Sequence, residues 1–220
     1  LYLAPRSAVF DLSDPLGKEA LIIMSEYFSI QDLSVSMGGH QILDHLSLPV
    51  ENPGHMIALL GPNGSGKTTL LRDLIRELSS GGSWGSGKNV SVVDERSEIA
   101  ACFGGVAQCD LGPRTDVMDG CPKSEGMLMM LRSMAPQVLA VDEAGGEGEI
   151  LAMKYGMNCG CRILATVHGA DVGDIMKRPA WRELAEAKVF SRYVVLSGVP
   201  GPGTIVGIYD VNFQRMDKRN

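Results

Sequence analysis

The chain has 220 residues, 45% of them hydrophobic and 21% charged, which suits a soluble globular domain with a substantial core. Its net charge of −6 provides no general attraction for polyanions, so no nucleic-acid partner is expected. No apolar run approaches the roughly 20 residues of a membrane span, and the first residues lack a basic segment followed by an apolar one.

Residues 1–25, with Pro5, Pro15 and Gly17, read as a lead-in or the remnant of an N-terminal region, ahead of a domain over 26–220. Two short apolar runs, Phe28–Met37 and Ile42–Val50, flank Gly38-Gly39 and predict a hairpin. Met56-Ile57-Ala58-Leu59-Leu60 predicts a buried parallel strand. After it, Leu70, Leu71, Leu74, Ile75 and Leu78 recur at helical spacing, with Arg72, Asp73, Arg76 and Glu77 opposite. Gly81–Gly87 reads as a loop, Val90–Val93 as a strand, and the polar, glycine-containing stretch to about Gly120 as irregular. Pro122 is placed for the first turn of a helix whose apolar face is Met127, Met130, Leu131 and Met134. Val138–Val141 and Ile163–Val167 are further strands, separated by a helical stretch around Gly148–Met157. This alternation predicts an α/β fold, a mostly parallel sheet with helices on both faces. Cys102, Cys109, Cys121, Cys159 and Cys161 are odd in number and irregularly spaced, as expected of reduced thiols in a cytosolic compartment.

Gly61-Pro62-Asn63-Gly64-Ser65-Gly66-Lys67-Thr68 matches the phosphate-loop pattern G-x-x-x-x-G-K-[ST] between a buried strand and an amphipathic helix. Glycines let the backbone wrap phosphates, N–H groups point inward, and the helix dipole favours anions there. Residues Gly61 to Thr69 are therefore the expected ATP-binding segment, with Lys67 bridging the β- and γ-phosphates and Thr68 on Mg²⁺. Val138–Val141 delivers Asp142 and Glu143 to the C-terminal edge of the sheet. Asp142 suits the Mg²⁺ shell, and Glu143 suits polarisation of the attacking water. His168 closes the next apolar strand, where it either senses the γ-phosphate or orients water; a structural hydrogen bond is the competing role. Asp94, Glu95, Arg96 and Glu98 follow another strand, either as a self-paired surface cluster or with Asp94 or Glu95 beside Glu143. Arg96, Arg114 and Arg132 are three arginines expected near the catalytic edge.

Several segments are chemically unusual: Val93-Asp94-Glu95-Arg96-Ser97-Glu98-Ile99, Arg114–Lys123, Leu131–Pro136, Ala165–Gly169, Arg192–Ser197 and Gly201-Pro202-Gly203. Over residues 57–210 they resemble the stage III sporulation protein AA family of ATPases, which are similar to the RecA-like, ring-forming secretion ATPases. The resemblance implies an enzyme that hydrolyses ATP to power a sporulation-associated secretion or channel apparatus. It further implies a hexamer, membrane-embedded channel proteins as partners, and mother-cell cytoplasm at the membrane periphery. It assigns Asp94, Glu95 and His168 to the site, as an acidic box and a histidine box. Residues 28–71 instead look like the opening of an ABC-transporter ATPase, which is the alternative function. Met37 stands where such domains carry an adenine-stacking aromatic, and Leu78–Gly82 imitates their signature sequence at the wrong place.

Overall fold

The computed structural model describes residues 30–37, 40–48, 56–82 and 85–216. Strands β1 (Ile30–Met37) and β2 (His40–Leu48) pair antiparallel, with Met37 opposite His40 and Ile30 opposite Leu48. This is the expected pairing; the lead-in and the Gly38-Gly39 turn fall outside the described residues.

Strand β3 (Met56–Gly61) is apolar throughout and buried along its whole length, so it needs partners on both edges and cover on both faces. Helix α1 (Lys67–Ser80) follows directly. Gly81–Gly87 is not simply a loop, because β4 (Gly81–Gly82) and β5 (Gly85–Ser86) form a minimal antiparallel ladder. Next come β6 (Val90–Asp94), β7 (Thr115–Asp119), α2 (Lys123–Ser133), β8 (Val138–Val141), α3 (Glu147–Asn158) and β9 (Arg162–His168). Two short helices, α4 (Val172–Met176) and α5 (Pro179–Glu186), lead to β10 (Phe190–Ser197) and β11 (Thr204–Asp210).

The seven-stranded sheet has the order β11-β10-β3-β9-β8-β6-β7, parallel except for β11. Alternation along β3 divides the core. Ile57 and Leu59 pack with Leu70, Leu71, Leu74 and Ile75 of α1. Met56, Ala58 and Leu60 point the other way, into a core with Met127 of α2, Met153 of α3 and Trp181 of α5. Both faces are thus covered by helices, as the alternating sequence predicts.

Three local expectations are corrected. The polar stretch before Gly120 contains β7, an edge strand whose single partner β6 lets Asp116 and Asp119 stay exposed. Pro122 caps α2 from outside its first turn, with φ −53 and ψ 131. Met127, Met130 and Leu131 are buried, but Met134 is 49% exposed because the helix ends at Ser133.

Candidate functional site

Parallel strands end together, so β3, β9, β8 and β6 bring Gly61, His168, Asp142 and Asp94 to one edge of the sheet. There β9 lies between the phosphate-loop strand and the Asp142-Glu143 strand, which places His168 between the two halves of the site.

Gly66 caps α1 in the left-handed region at φ 88, and no side chain caps this terminus. A Cβ on Gly66 would approach the backbone nitrogen of Gly203 to 2.7 Å, so glycine is required by conformation and by space. The first-turn N–H groups of α1 have no partner within the helix, which leaves them to an anion. Pro62, Asn63 and Gly64 are exposed, whereas Ser65 and Lys67 are buried. Lys67 Nζ donates to the carbonyls of Gly61 (2.7 Å) and Pro62 (2.9 Å). Burial lowers the pKa of its ammonium, opposed by the negative charge of Glu143, so Lys67 and Glu143 act on one another across the edge.

Asp142 is buried and its Oδ1 has no hydrogen-bond partner. Desolvation raises its carboxyl to about 6; Lys123 pulls it down while Asp94, Glu98 and Glu143 push it up. Glu143 adopts φ 40, a strained conformation for a non-glycine residue. Thr166 on β9 holds this turn: its Oγ1 accepts from the Glu143 N–H at 2.7 Å, and its carbonyl accepts from the Ala144 N–H at 2.9 Å. Glu143 Oε2 lies 3.4 Å from Arg96 Nη1. His168 Nδ1 sits 3.2 Å from Asn63 Oδ1, linking the β9 end to the phosphate loop.

Asp94 is fully buried, and its oxygens accept from the N–H groups of Glu98 (2.8 Å), Ile99 (3.0 Å) and Ala100 (2.8 Å). Its carboxylate therefore shapes the turn that presents Glu95 and Arg96. Of the three arginines, only Arg96 lies at this edge. Arg114 precedes β7 at the opposite edge, where its N–H donates to Ser79 Oγ (2.6 Å) and its Nη1 to Ser79 O (3.2 Å). Arg132 lies at the far end of α2, with its guanidinium carbon 5.7 Å from the Tyr155 ring centroid.

Two residues of the site carry no role in the sequence reading, although both lie in segments that carry the family resemblance. Lys123 is buried, with its Nζ 3.7 Å from both Asp142 Oδ1 and Glu95 Oε2. Its signal was a lysine opening a helix, against the macrodipole. Thr166 was legible only as a hydroxyl within an otherwise apolar strand. The loop between β10 and β11 also reaches the site, since the Gly203 N–H donates to Ser65 O at 2.8 Å.

The residues fit a magnesium nucleotide. An uncapped helix terminus, a buried lysine, the Thr68 hydroxyl and an unpartnered carboxylate oxygen on Asp142 supply the cations, N–H donors and hard oxygen ligands it needs.

A family profile described as sporulation stage III, protein AA, matches residues 35–216. The chain belongs to that family. Stage III sporulation protein AA of Bacillus subtilis (strain 168) is 45% identical over 152 residues, covering 69% of this chain and 50% of that protein. The chain thus spans about half the length of this family relative. A hemin import ATP-binding protein of Chelativorans sp. (strain BNC1) is 49% identical over 53 residues, 24% of this chain and 20% of that one. Among solved structures, the Legionella pneumophila ATPase DotB aligns with TM-score 0.51 and 19% identity, over 66% of this chain and 41% of its own. A nucleotide-free ATP-binding cassette from an ABC transporter aligns with TM-score 0.50 and 12% identity, over 83% and 90%. These likenesses show that this member of the sporulation family has the P-loop ATPase fold. Among the described residues, no helix is long and apolar enough to cross a membrane.

Proposed function

We propose that this protein hydrolyses ATP. The observation that carries the proposal is the convergence of the phosphate loop after β3 and the Asp142-Glu143 turn after β8 on one edge of the sheet, either side of β9, with Thr166 fixing the turn that carries Glu143. In this reading the Gly61–Thr69 segment holds the triphosphate and Lys67 exchanges its loop carbonyls for the β- and γ-phosphates. Thr68 and Asp142 hold Mg²⁺, which when bound neutralises developing phosphate charge. Glu143 polarises the attacking water, His168 orients the loop through Asn63, and Asp94 holds Glu95 at the rim. Lys67→Ala is expected to abolish tight nucleotide binding. Glu143→Gln is expected to bind nucleotide normally but release phosphate roughly 10²-fold more slowly. Unchanged turnover in Glu143→Gln would move the water-activating role to Glu95.

Family membership supports the finer reading, an oligomeric ATPase, hexameric by analogy with secretion ATPases. It would work at the cytoplasmic face of a membrane with channel proteins of a sporulation apparatus. The ABC-type alternative draws on the local similarity to import ATP-binding proteins. Against it, 75 residues separate Lys67 from Asp142, and beyond α1 they hold one helix among the described residues. An ABC domain carries an inserted helical subdomain at that point.

A further inference from the structure

Lys123 opens α2, and its placement runs against elementary electrostatics. A lysine in the first turn faces the positive end of the helix dipole. An ammonium group withdrawn from water also requires compensation. Yet Lys123 is only 6% exposed, and no side chain caps the α2 N-terminus.

Its compensation comes from two strands. Asp142 Oδ1 follows β8 and Glu95 Oε2 follows β6, each 3.7 Å from Nζ. These separations favour ion pairing and are too long for hydrogen bonds. Accordingly, Asp142 Oδ1 has no hydrogen-bond partner despite its burial. A salt bridge serving the fold alone gains most when its oxygens are saturated by hydrogen bonds. Here the lysine supplies charge and leaves the oxygen's lone pairs open. Asp94, Glu98 and Glu143 all repel the Asp142 carboxylate, and Lys123 opposes them.

We infer that Lys123 is a positioning residue of the magnesium–nucleotide site, a resident cation that bridges Glu95 and Asp142 and keeps Asp142 Oδ1 open to the metal's shell. The inference rests on the ATPase reading above. Lys123 has two opposing effects on metal binding: it repels a divalent cation, and it holds the carboxylate that receives it. Positioning is expected to dominate, because Lys123 Nζ sits 3.7 Å from both Asp142 Oδ1 and Glu95 Oε2 and so ties the ends of β8 and β6 to the start of α2.

The test measures binding of a fluorescent ATP analogue to the full chain, in EDTA and against rising Mg²⁺. Lys123→Met is expected to raise the half-saturating Mg²⁺ about tenfold, the lower end for loss of a group that supports a metal ligand. The loss of affinity in EDTA is expected to be clearly smaller than the loss at limiting Mg²⁺, and Lys123→Arg is expected to recover most of the Mg²⁺ requirement. Glu95→Gln cuts the more exposed end of the bridge and keeps the lysine. It is expected to raise the requirement about threefold, which preserves the test if Lys123→Met does not fold. An unchanged Mg²⁺ requirement overturns the inference, and a lower one shows that Lys123 competes with the metal. Equal losses with and without Mg²⁺ also overturn it, by showing general damage. A parent that binds no nucleotide overturns the ATPase reading, and the inference with it.

Discussion

Asp142 holds a proton more tightly in the folded protein than in the unfolded chain, because burial raises its carboxyl from 3.8 to about 6. The stability this group contributes is therefore fully present below about pH 3.8 and is lost as pH rises through about 6. Urea unfolding of the nucleotide-free protein between these limits should show parent stability falling with pH relative to Asp142→Asn. Identical pH slopes would assign the proton to another group. Thr166 tests a second feature of the site. Thr166→Val keeps the shape of the side chain and removes the acceptor for the Glu143 N–H. It should leave nucleotide affinity nearly unchanged and lower turnover about 10- to 100-fold, the scale of misplacing a reacting group by about 1 Å. Parent-like phosphate release would show that the strained turn holds itself. The placement of Lys67, Thr68, Asp142 and Glu143 at one edge was legible in the sequence because each belongs to a contiguous motif. That of Lys123 and Thr166 was not, because their roles depend on β6, β8 and β9 being neighbours, which adjacency along the chain does not reveal.

At the level of elements, periodicity was a sound guide wherever burial was complete. The strands around Met56–Leu60, Val90–Val93, Val138–Val141 and Ile163–Val167 were readable because both faces of the sheet are covered. Strand β7 was hidden, since an edge strand tolerates the Asp116 and Asp119 charges that make a segment look like loop. Arg114 and Arg132 were misplaced for a different reason. Arg132 closes helix α2, which runs back across the sheet, and Arg114 closes the irregular segment that returns from the end of β6 to the start of β7, so both sit at the opposite end from Gly61 and Asp142. The phosphate loop and the β10–β11 loop form a further joint, in which Gly66 backs onto Gly203. Gly66→Ala adds a Cβ in the left-handed region and forces these backbones apart. Stability should fall by about 1–3 kcal/mol, with weaker nucleotide binding, readable by thermal unfolding and titration. A variant matching the parent in both would show that the joint yields freely.

For the whole molecule, Arg96 is the residue whose role turns on assembly: it is 62% exposed in its side chain and contacts Glu143 of its own chain. If subunits assemble, an arginine placed there by a neighbour can speed phosphoryl transfer by about 10³-fold or more. Specific activity should then rise with enzyme concentration as particle mass grows. Mixing Arg96→Ala with Lys67→Ala should restore activity, because one chain supplies the phosphate site and the other the arginine. A flat concentration profile with no recovery in mixtures would confine Arg96 to its own subunit. Another property of the whole chain follows from the position of β3 between β9 and β10, with Gly203 bracing Ser65 from outside. A ribosome releases the phosphate loop early and its walls late. Strands β10 and β11 are the last of the described sheet to be synthesised, so a nascent chain carries the complete G-x-x-x-x-G-K-T motif long before it has a site. Under the proposed ATPase reading, nucleotide capture is expected late in synthesis, and an interrupted chain ending before Phe190 would display the motif without the Gly203 brace on Ser65.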